Sequence, residues 1–236
     1  MSAASLGILR LTQSSVGKKV IMAVTGVIGI GFVIGHMYGN LKALPFFGGP
    51  EEFNIYAEGL RELGEPLLTH SELLWAVRIV LLLAVVLHVW SAWSLYQESE
   101  RARSTKYAMH TKLETTAAAR YIRIGGVIIL LFLILHLMHF TWGVPGIHPD
   151  FRPGDAYHNL VVGFQSYAYI PAIIYLVAVI ALGFHLYHGT WSMFQTLGLN
   201  NKSYTKPLRT VALLVAIVVA GGFAIVPLSV IVGLVS

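Results

Sequence analysis

Histidine is the main side chain of this sequence that could bind a metal. The chain contains ten histidines and no cysteine, which excludes disulfides, thiolate metal sites and iron–sulfur ligation by the chain itself. Six histidines lie within long apolar stretches, where an ionisable side chain is costly and therefore indicates a function. These six are His36, His88, His136, His139, His185 and His188. The other four, which fall in or beside connections and are expected to be solvated, are His70, His110, His148 and His158.

The apolar stretches that carry these histidines are long enough to cross a membrane. Only 11% of the 236 residues are charged and 56% are hydrophobic, whereas an average soluble domain has about 25% charged residues. A spanning helix needs about 20 mostly apolar residues. The sequence predicts an all-α integral membrane protein, one transmembrane domain over residues 1–236, with five spanning helices at about 20–41, 71–97, 121–143, 168–197 and 208–235.

The sequence also predicts the local structure of two connections between the spans. Pro153, Gly154 and the polar run from Tyr157 to Ser166 predict a loop before the fourth span. The connection 42–71 between the first two spans has a pattern compatible with a short interfacial helix.

Charge asymmetry predicts the orientation, because short loops rich in Lys and Arg stay on the cytoplasmic side. The N-terminal segment and the second and fourth connections together carry a net charge of +9, and the other two connections carry −4. The N terminus is therefore expected in the cytoplasm, the C terminus outside, and the chain in the cell inner (cytoplasmic) membrane as a multi-pass protein.

Depth divides the histidines of the spans into two levels. At a helical rise of about 1.5 Å per residue, His36 and His136 lie roughly 9 Å inside the outer ends of the first and third spans. His88 and His185 lie about 25 Å from the outer ends of the second and fourth spans. Four helices thus offer one pair in the outer half and one in the inner half, and the fifth helix offers no histidine.

Paired neutral imidazoles on facing helices are what a bis-histidine haem requires. Because both axial positions of the iron are then filled, the expected role is electron transfer through two haems in a four-helix bundle with one peripheral helix. A proton relay or transporter site is the alternative, since buried imidazoles also carry protons. No intramembrane Asp or Glu and no matched Pro-interrupted halves support that alternative.

Small residues on the histidine-bearing helices agree with a flat cofactor, although helix packing alone also favours them. Helix I is rich in glycine, and His185 is followed four residues later by Gly189. Spacing does not separate His136 from His139, or His185 from His188, because residues three apart share a helix face.

The chain resembles the di-haem cytochrome b anchor of succinate:quinone oxidoreductases, the succinate dehydrogenase and fumarate reductase family in which one five-helix polypeptide carries both haems. The resemblance covers all five spans. It rests on Thr25-Gly26 with Gly35-His36-Met37, on His88, on Gly126 ten residues before His136, and on His185-x3-Gly189-x-Trp191 with Gly198 beyond.

The resemblance implies a ligand set. It selects His136 over His139 and His185 over His188, with His36 and His136 as axial ligands of the outer (distal) haem b. His88 and His185 would bind the inner (proximal) haem b. The basic residues nearest the predicted inner face, which could dock partner subunits or haem propionates, are Lys18, Lys19, Arg120 and Arg123.

The resemblance also implies an activity and its partners. A flavoprotein subunit would oxidise succinate, and an iron–sulfur subunit would carry the electrons to the membrane. This non-catalytic anchor would pass them to a quinone, which for anchors of this kind is usually menaquinone. No nucleic-acid partner is expected. An anchor of another membrane oxidoreductase, such as a formate dehydrogenase or hydrogenase, is the alternative that keeps the haems.

Two positions depart from the pattern. Gly183 stands where some relatives carry a glutamate that serves transmembrane proton transfer, and Thr196 stands where some carry a lysine that contacts a propionate. Proton coupling through that glutamate is therefore not expected in this chain.

Overall fold

The spans predicted from hydropathy are helices. The computed structural model describes residues 12–102, 117–199 and 201–236, and every regular element in them is helical. Five candidate spans are long and apolar enough to cross a membrane, so the predicted all-α membrane fold is confirmed. In chain order the helices are α1 Ser15–Leu41, α2 Gly49–Glu62, α3 Glu72–Arg101, α4 Ala117–His136, α5 Ala156–Gln165, α6 Ile170–Thr196 and α7 Thr205–Ile231.

The spanning helices are α1, α3, α4, α6 and α7. A π-helical turn, Leu137–Thr141, continues α4, and the fourth apolar segment runs from α5 into α6. We call the end of the bundle where α1 ends and α6 begins the outer end, after the predicted orientation, and the opposite end the inner end.

Some helices extend beyond the apolar stretches that identified them. α1 begins five residues before the predicted boundary, at Ser15, where the Ser14 hydroxyl accepts a hydrogen bond from the backbone N–H of Gly17. α3 runs on to Arg101. Lys18 of α1 and Glu98 of α3 form an ion pair at the inner end, so the helices remain paired where their sequences turn polar.

The bundle presents apolar side chains outward. Leu82 on α3, Ile124 on α4 and Ile180 on α6 are 64%, 62% and 61% exposed. A soluble protein rarely exposes apolar patches on this scale. The outward face therefore requires lipid, as expected of a multi-pass membrane protein.

Helix α6 is the centre of the packing and contacts α1, α4, α5 and α7. α3 packs mainly against α1, with a smaller contact to α2. α7, which carries no histidine, packs against α6, α1 and α5. Near the outer end, Leu160 and Phe164 of α5, Tyr175 of α6 and Val226 of α7 belong to one buried apolar cluster.

The prediction of a loop before the fourth span is wrong, because residues 156–165 form helix α5. The Asp155 carboxylate caps this helix by accepting the N–H of His158 at 3.0 Å. The Asn54 side chain ties α5 to α2: its amide donates to Asp155 at 3.1 Å, and its carbonyl accepts the N–H of Tyr157 at 2.9 Å. The polar residues that predict a loop include buried Asn159, whose side-chain amide bonds the backbone N–H and carbonyl of Arg152, each at 2.7 Å.

Candidate haem-binding site

His36 of α1 and His136 of α4 form the outer pair. Their ring centroids are 5.7 Å apart and the rings are nearly perpendicular, at 80°. Phe32 stacks on His36 at 5.3 Å, and Phe223 of α7 lies 5.7 Å from it. Phe132 and Phe140 each lie 5.9 Å from His136. The outer pair is therefore enclosed by aromatic rings from three helices.

His88 of α3 and His185 of α6 form the inner pair, with ring centroids 6.1 Å apart at 57°. The Thr25 hydroxyl of α1 lies 3.1 Å from Nδ1 of His88. A Cβ placed at Gly26 would lie 3.8 Å from Cε1 of His88, and one at Gly126 would lie 3.8 Å from Cε1 of His185. Glycine backbone thus borders both rings of the inner pair.

The two pairs occupy two levels of the bundle. On three helices a residue adjoins each level, and the two residues are ten or eleven positions apart. At about 1.5 Å per residue, these spacings correspond to roughly 15 to 17 Å. The spacings are Thr25 to His36 on α1, Gly126 to His136 on α4 and Tyr175 to His185 on α6.

The remaining span histidines lie outside the pairs. His139 is 1% exposed and its ring faces His148, at 5.3 Å between centroids, rather than His36. The Tyr175 hydroxyl lies 3.1 Å from Nδ1 of His139 and 3.2 Å from Nδ1 of His136. His188 is half-buried on α6, three residues beyond His185.

The expectation that the connection histidines are solvated is wrong for His148. This residue is 2% exposed, and its Nε2 lies 2.9 Å from the backbone carbonyl of Asn159 in α5. His70 is exposed beside Glu58 and Glu65. The ring of His158 is mostly buried against Asp150. His110 lies outside the described residues.

The basic residues predicted near the inner face are partly engaged. Lys18 pairs with Glu98. Arg123 lies over the ring of Tyr96, 4.8 Å from its centroid, and 4.0 Å from the carboxylate of Glu100. Both pairs hold neighbouring elements together at the inner end.

The geometry of both pairs fits a bis-histidine haem. A metal–imidazole bond is about 2 Å long, so two imidazoles on opposite sides of one iron have centroids about 6 Å apart. The observed distances are 5.7 Å and 6.1 Å. Nδ1 of His185 is buried without a hydrogen-bond partner among the described residues. The glycine backbone beside the inner rings also leaves room for a flat group.

The family model of the succinate dehydrogenase/fumarate reductase transmembrane subunit matches residues 97–224, more than half of the chain. The chain belongs to this family. Neither the comparison with curated proteins nor that with solved structures gives a significant match. The matched segment of this succinate dehydrogenase/fumarate reductase transmembrane subunit contains His136, Tyr175 and His185, whereas His36 and His88 precede it.

In this family member, two hydroxyl side chains complete the surroundings of the pairs. The sequence indicates Thr25 only as part of a motif, and no sequence motif indicates Tyr175. The signal that locates them is spacing: a helix that supplies a histidine at one level passes the other level ten or eleven residues away. Thr25 precedes His36 and Tyr175 precedes His185 by that interval.

Proposed function

We propose that this chain is the membrane anchor cytochrome b subunit of a succinate dehydrogenase, carrying electrons between an iron–sulfur subunit and quinone through two haem b groups. Two pairs of facing histidines, with ring centroids 5.7 Å and 6.1 Å apart and about 15 Å between the pairs along the bundle, carry this proposal. Family membership supplies the class of complex. His36 and His136 would hold the outer haem, and His88 and His185 the inner haem.

The residues of the inner pair are arranged to coordinate a metal. The Thr25 hydroxyl lies 2.8 Å from the carbonyl of Ile21. When it donates there, its oxygen accepts a hydrogen bond from the Nδ1–H of His88. Nε2 of His88 then has a free lone pair, as a metal-ligating histidine requires.

A bis-histidine haem exchanges single electrons at its iron and has no open coordination position for oxygen. The protein would therefore hold each haem in place and set its surroundings, and no substrate would bind to the iron. The apolar rings around the outer pair and the lipid-facing helices exclude water from both pairs, and exclusion of water is one means by which a protein tunes a redox group.

The predicted orientation places the inner pair toward the cytoplasm. The flavoprotein and iron–sulfur subunits would dock on the basic inner end, so that the haem held by His88 and His185 would lie nearer to them than the haem held by His36 and His136. Dicarboxylate chemistry would take place on the flavoprotein, which makes this chain a non-catalytic subunit. The electron acceptor would be a quinone, with menaquinone as the expected type.

A cavity of about 330 Å³ lies between the end of α4 and the start of α6. It is lined by His139, Tyr175 and Tyr167 together with apolar residues. An apolar cavity with a few polar groups is typical of a small-molecule site. It is the candidate position for a quinone ring beside the outer pair.

Spectroscopy of the complex purified in detergent tests the proposal. We expect a b-type α-band on reduction, about two haems per chain, and co-purification of a flavin-containing and an iron–sulfur subunit. Succinate should reduce both haems, and a menaquinone analogue should reoxidise them.

Three results would contradict the proposal in different ways. A colourless protein that catalyses proton or solute flux in vesicles favours the transporter alternative. Haems that formate or hydrogen reduces, and succinate does not, favour another oxidoreductase. One haem per chain would remove one of the two histidine pairs from the ligand set.

A further inference from the structure

The Tyr175 hydroxyl is shared by two imidazoles. It lies 3.2 Å from Nδ1 of His136 and 3.1 Å from Nδ1 of His139. Tyr175 is itself buried, and the rings of Phe132 and Phe164 pack against it edge-on at 4.7 Å and 5.0 Å. The hydroxyl therefore has a defined position between two histidines of the same helix.

The numbers of donors and acceptors on the phenol and the two imidazoles limit which hydrogen bonds can form among them. A phenol donates one hydrogen bond and accepts others, and a neutral imidazole has one N–H and one acceptor nitrogen. If His136 presents a free Nε2 to a metal, its proton is on Nδ1 and must be donated to Tyr175. The Tyr175 O–H is then directed to Nδ1 of His139, and the proton of His139 lies on Nε2.

Resting on the proposed function, we propose that Tyr175 is a positioning residue of the outer haem, whose hydroxyl holds His136 with Nε2 free and thereby lowers the reduction potential at the outer level. His139, rather than competing for the iron, polarises the hydroxyl by accepting a hydrogen bond from it. Hydrogen bonds in such a chain strengthen one another.

The direction of the effect follows from charge. A hydrogen bond from Nδ1–H makes the imidazole a stronger electron donor to the metal, which favours the ferric over the ferrous form. Loss of the Tyr175 oxygen should therefore raise the midpoint potential of the outer haem. A hydrogen bond of ordinary strength alters an equilibrium by about three- to tenfold, and a tenfold change is about 59 mV for one electron.

The inner pair provides a matched control. Thr25 holds Nδ1 of His88, while its hydroxyl lies near the carbonyls of Ile21 and Met22 rather than a second imidazole. Tyr175→Phe and Thr25→Val each remove one hydroxyl and retain the approximate shape of the side chain. The two substitutions act on different haems.

Redox titration of the purified complex, followed by optical and electron paramagnetic resonance spectra, is the test. We expect Tyr175→Phe to retain both haems, to raise the outer potential by up to about 59 mV, and to change the signal of the outer ferric haem alone. Thr25→Val should affect only the inner haem. His139→Leu, which preserves Tyr175, should raise the outer potential by a smaller amount.

An unchanged outer potential in Tyr175→Phe, or an equal shift of both haems, would overturn the inference while leaving the proposed function intact. If Tyr175→Phe does not accumulate, His139→Leu decides alone: no upward shift of the outer potential overturns the inference. Absence of haem from the unsubstituted protein would instead refute the proposed function.

Discussion

The inner and outer pairs have the same two side chains but different surroundings. At the inner level, Gly26 and Gly126 border the rings, and His185 has no hydrogen-bond partner for Nδ1 among the described residues. At the outer level, aromatic rings enclose His36 and His136. The inner pair is thus defined mainly by the space beside it and the outer pair by packed rings and a shared hydroxyl.

This difference predicts different sensitivities. A large side chain beside the inner pair should lower the occupancy of the inner haem, because glycines border its two rings. Loss of a hydrogen bond or of a packed element should damage the outer level. Substitutions confined to one level can therefore confirm or refute the distinction.

The largest effect is expected from removing a ligand. His88→Leu should remove the inner haem and His36→Leu the outer haem, each lowering the haem content by about half because a bis-histidine iron loses one axial bond. Pyridine haemochrome assay and reduced-minus-oxidised spectra measure the content and identify the haem that remains. His139→Leu is the control and should retain both haems. Loss of a haem in His139→Leu, with retention in His136→Leu, would reverse the assignment on α4.

A volume series at Gly126 should give the next largest effect. The Cβ of Gly126→Ala meets His185 at an ordinary contact distance of 3.8 Å, so both haems should remain. The longer side chain of Gly126→Leu extends into the inner pair, and overpacking of a filled site costs about 1–3 kcal/mol. We expect reduced occupancy of the inner haem and full occupancy of the outer haem, measured by spectral deconvolution.

Gly31→Leu is the matched control for this series. Gly31 also lies on a spanning helix, but a Cβ there meets no atom within 4 Å, so both haems should bind normally. Loss of the outer haem before the inner one in Gly126→Leu would show that the levels do not differ as described.

The smallest effect is expected at the cap of α5. The backbone N–H of His158 and, secondarily, the Asn54 amide hold the pKa of the Asp155 carboxyl below its usual range. Asp155→Ala should cost about 1 kcal/mol as a lost helix cap. The temperature at which the outer haem is released should fall slightly, while the inner haem is unaffected.

The pH dependence of that effect has a definite sign. A carboxylate with a lowered folded-state pKa stabilises the fold above the ordinary carboxyl pKa and loses that contribution as the pH falls through the lowered value. The difference between Asp155→Ala and the unsubstituted protein should therefore vanish in acid. Arg152→Ala, which removes the exposed ion pair with Asp150 and leaves the Asp155 cap in place, is the control and should change stability very little.

The sequence was sufficient to predict the spans and which histidines meet. Hydropathy located five helices because each must satisfy its backbone hydrogen bonds within lipid. Counting along the helices placed the histidines at two levels, and the family resemblance selected His136 over His139 and His185 over His188. The rings of His36 and His136, and those of His88 and His185, lie within 6.1 Å of each other. Their role as haem ligands stays a prediction.

Other features could not be read from periodicity. Helix α5 is one such feature, because its cap Asp155 is held by Asn54, 101 positions away. His148 becomes buried for the same reason, since the folded-back α5 covers it. Tyr175 stands alone in an apolar run, and only tertiary packing brings it between His136 and His139.

The two levels also differ in when they can be completed during synthesis. His36 and His136 belong to the first and third spans, so both histidines of the outer pair are present once α4 has entered the membrane. The inner pair is complete only when His185 of the fourth span is present, and Tyr175 lies on that same span. Cofactor insertion after the third span would leave the nascent outer site without its hydroxyl, whereas α6 brings His185 and Tyr175 in one step. The outer level therefore has both of its histidines before the inner level does, and α6 then supplies the second inner histidine and the outer hydroxyl together.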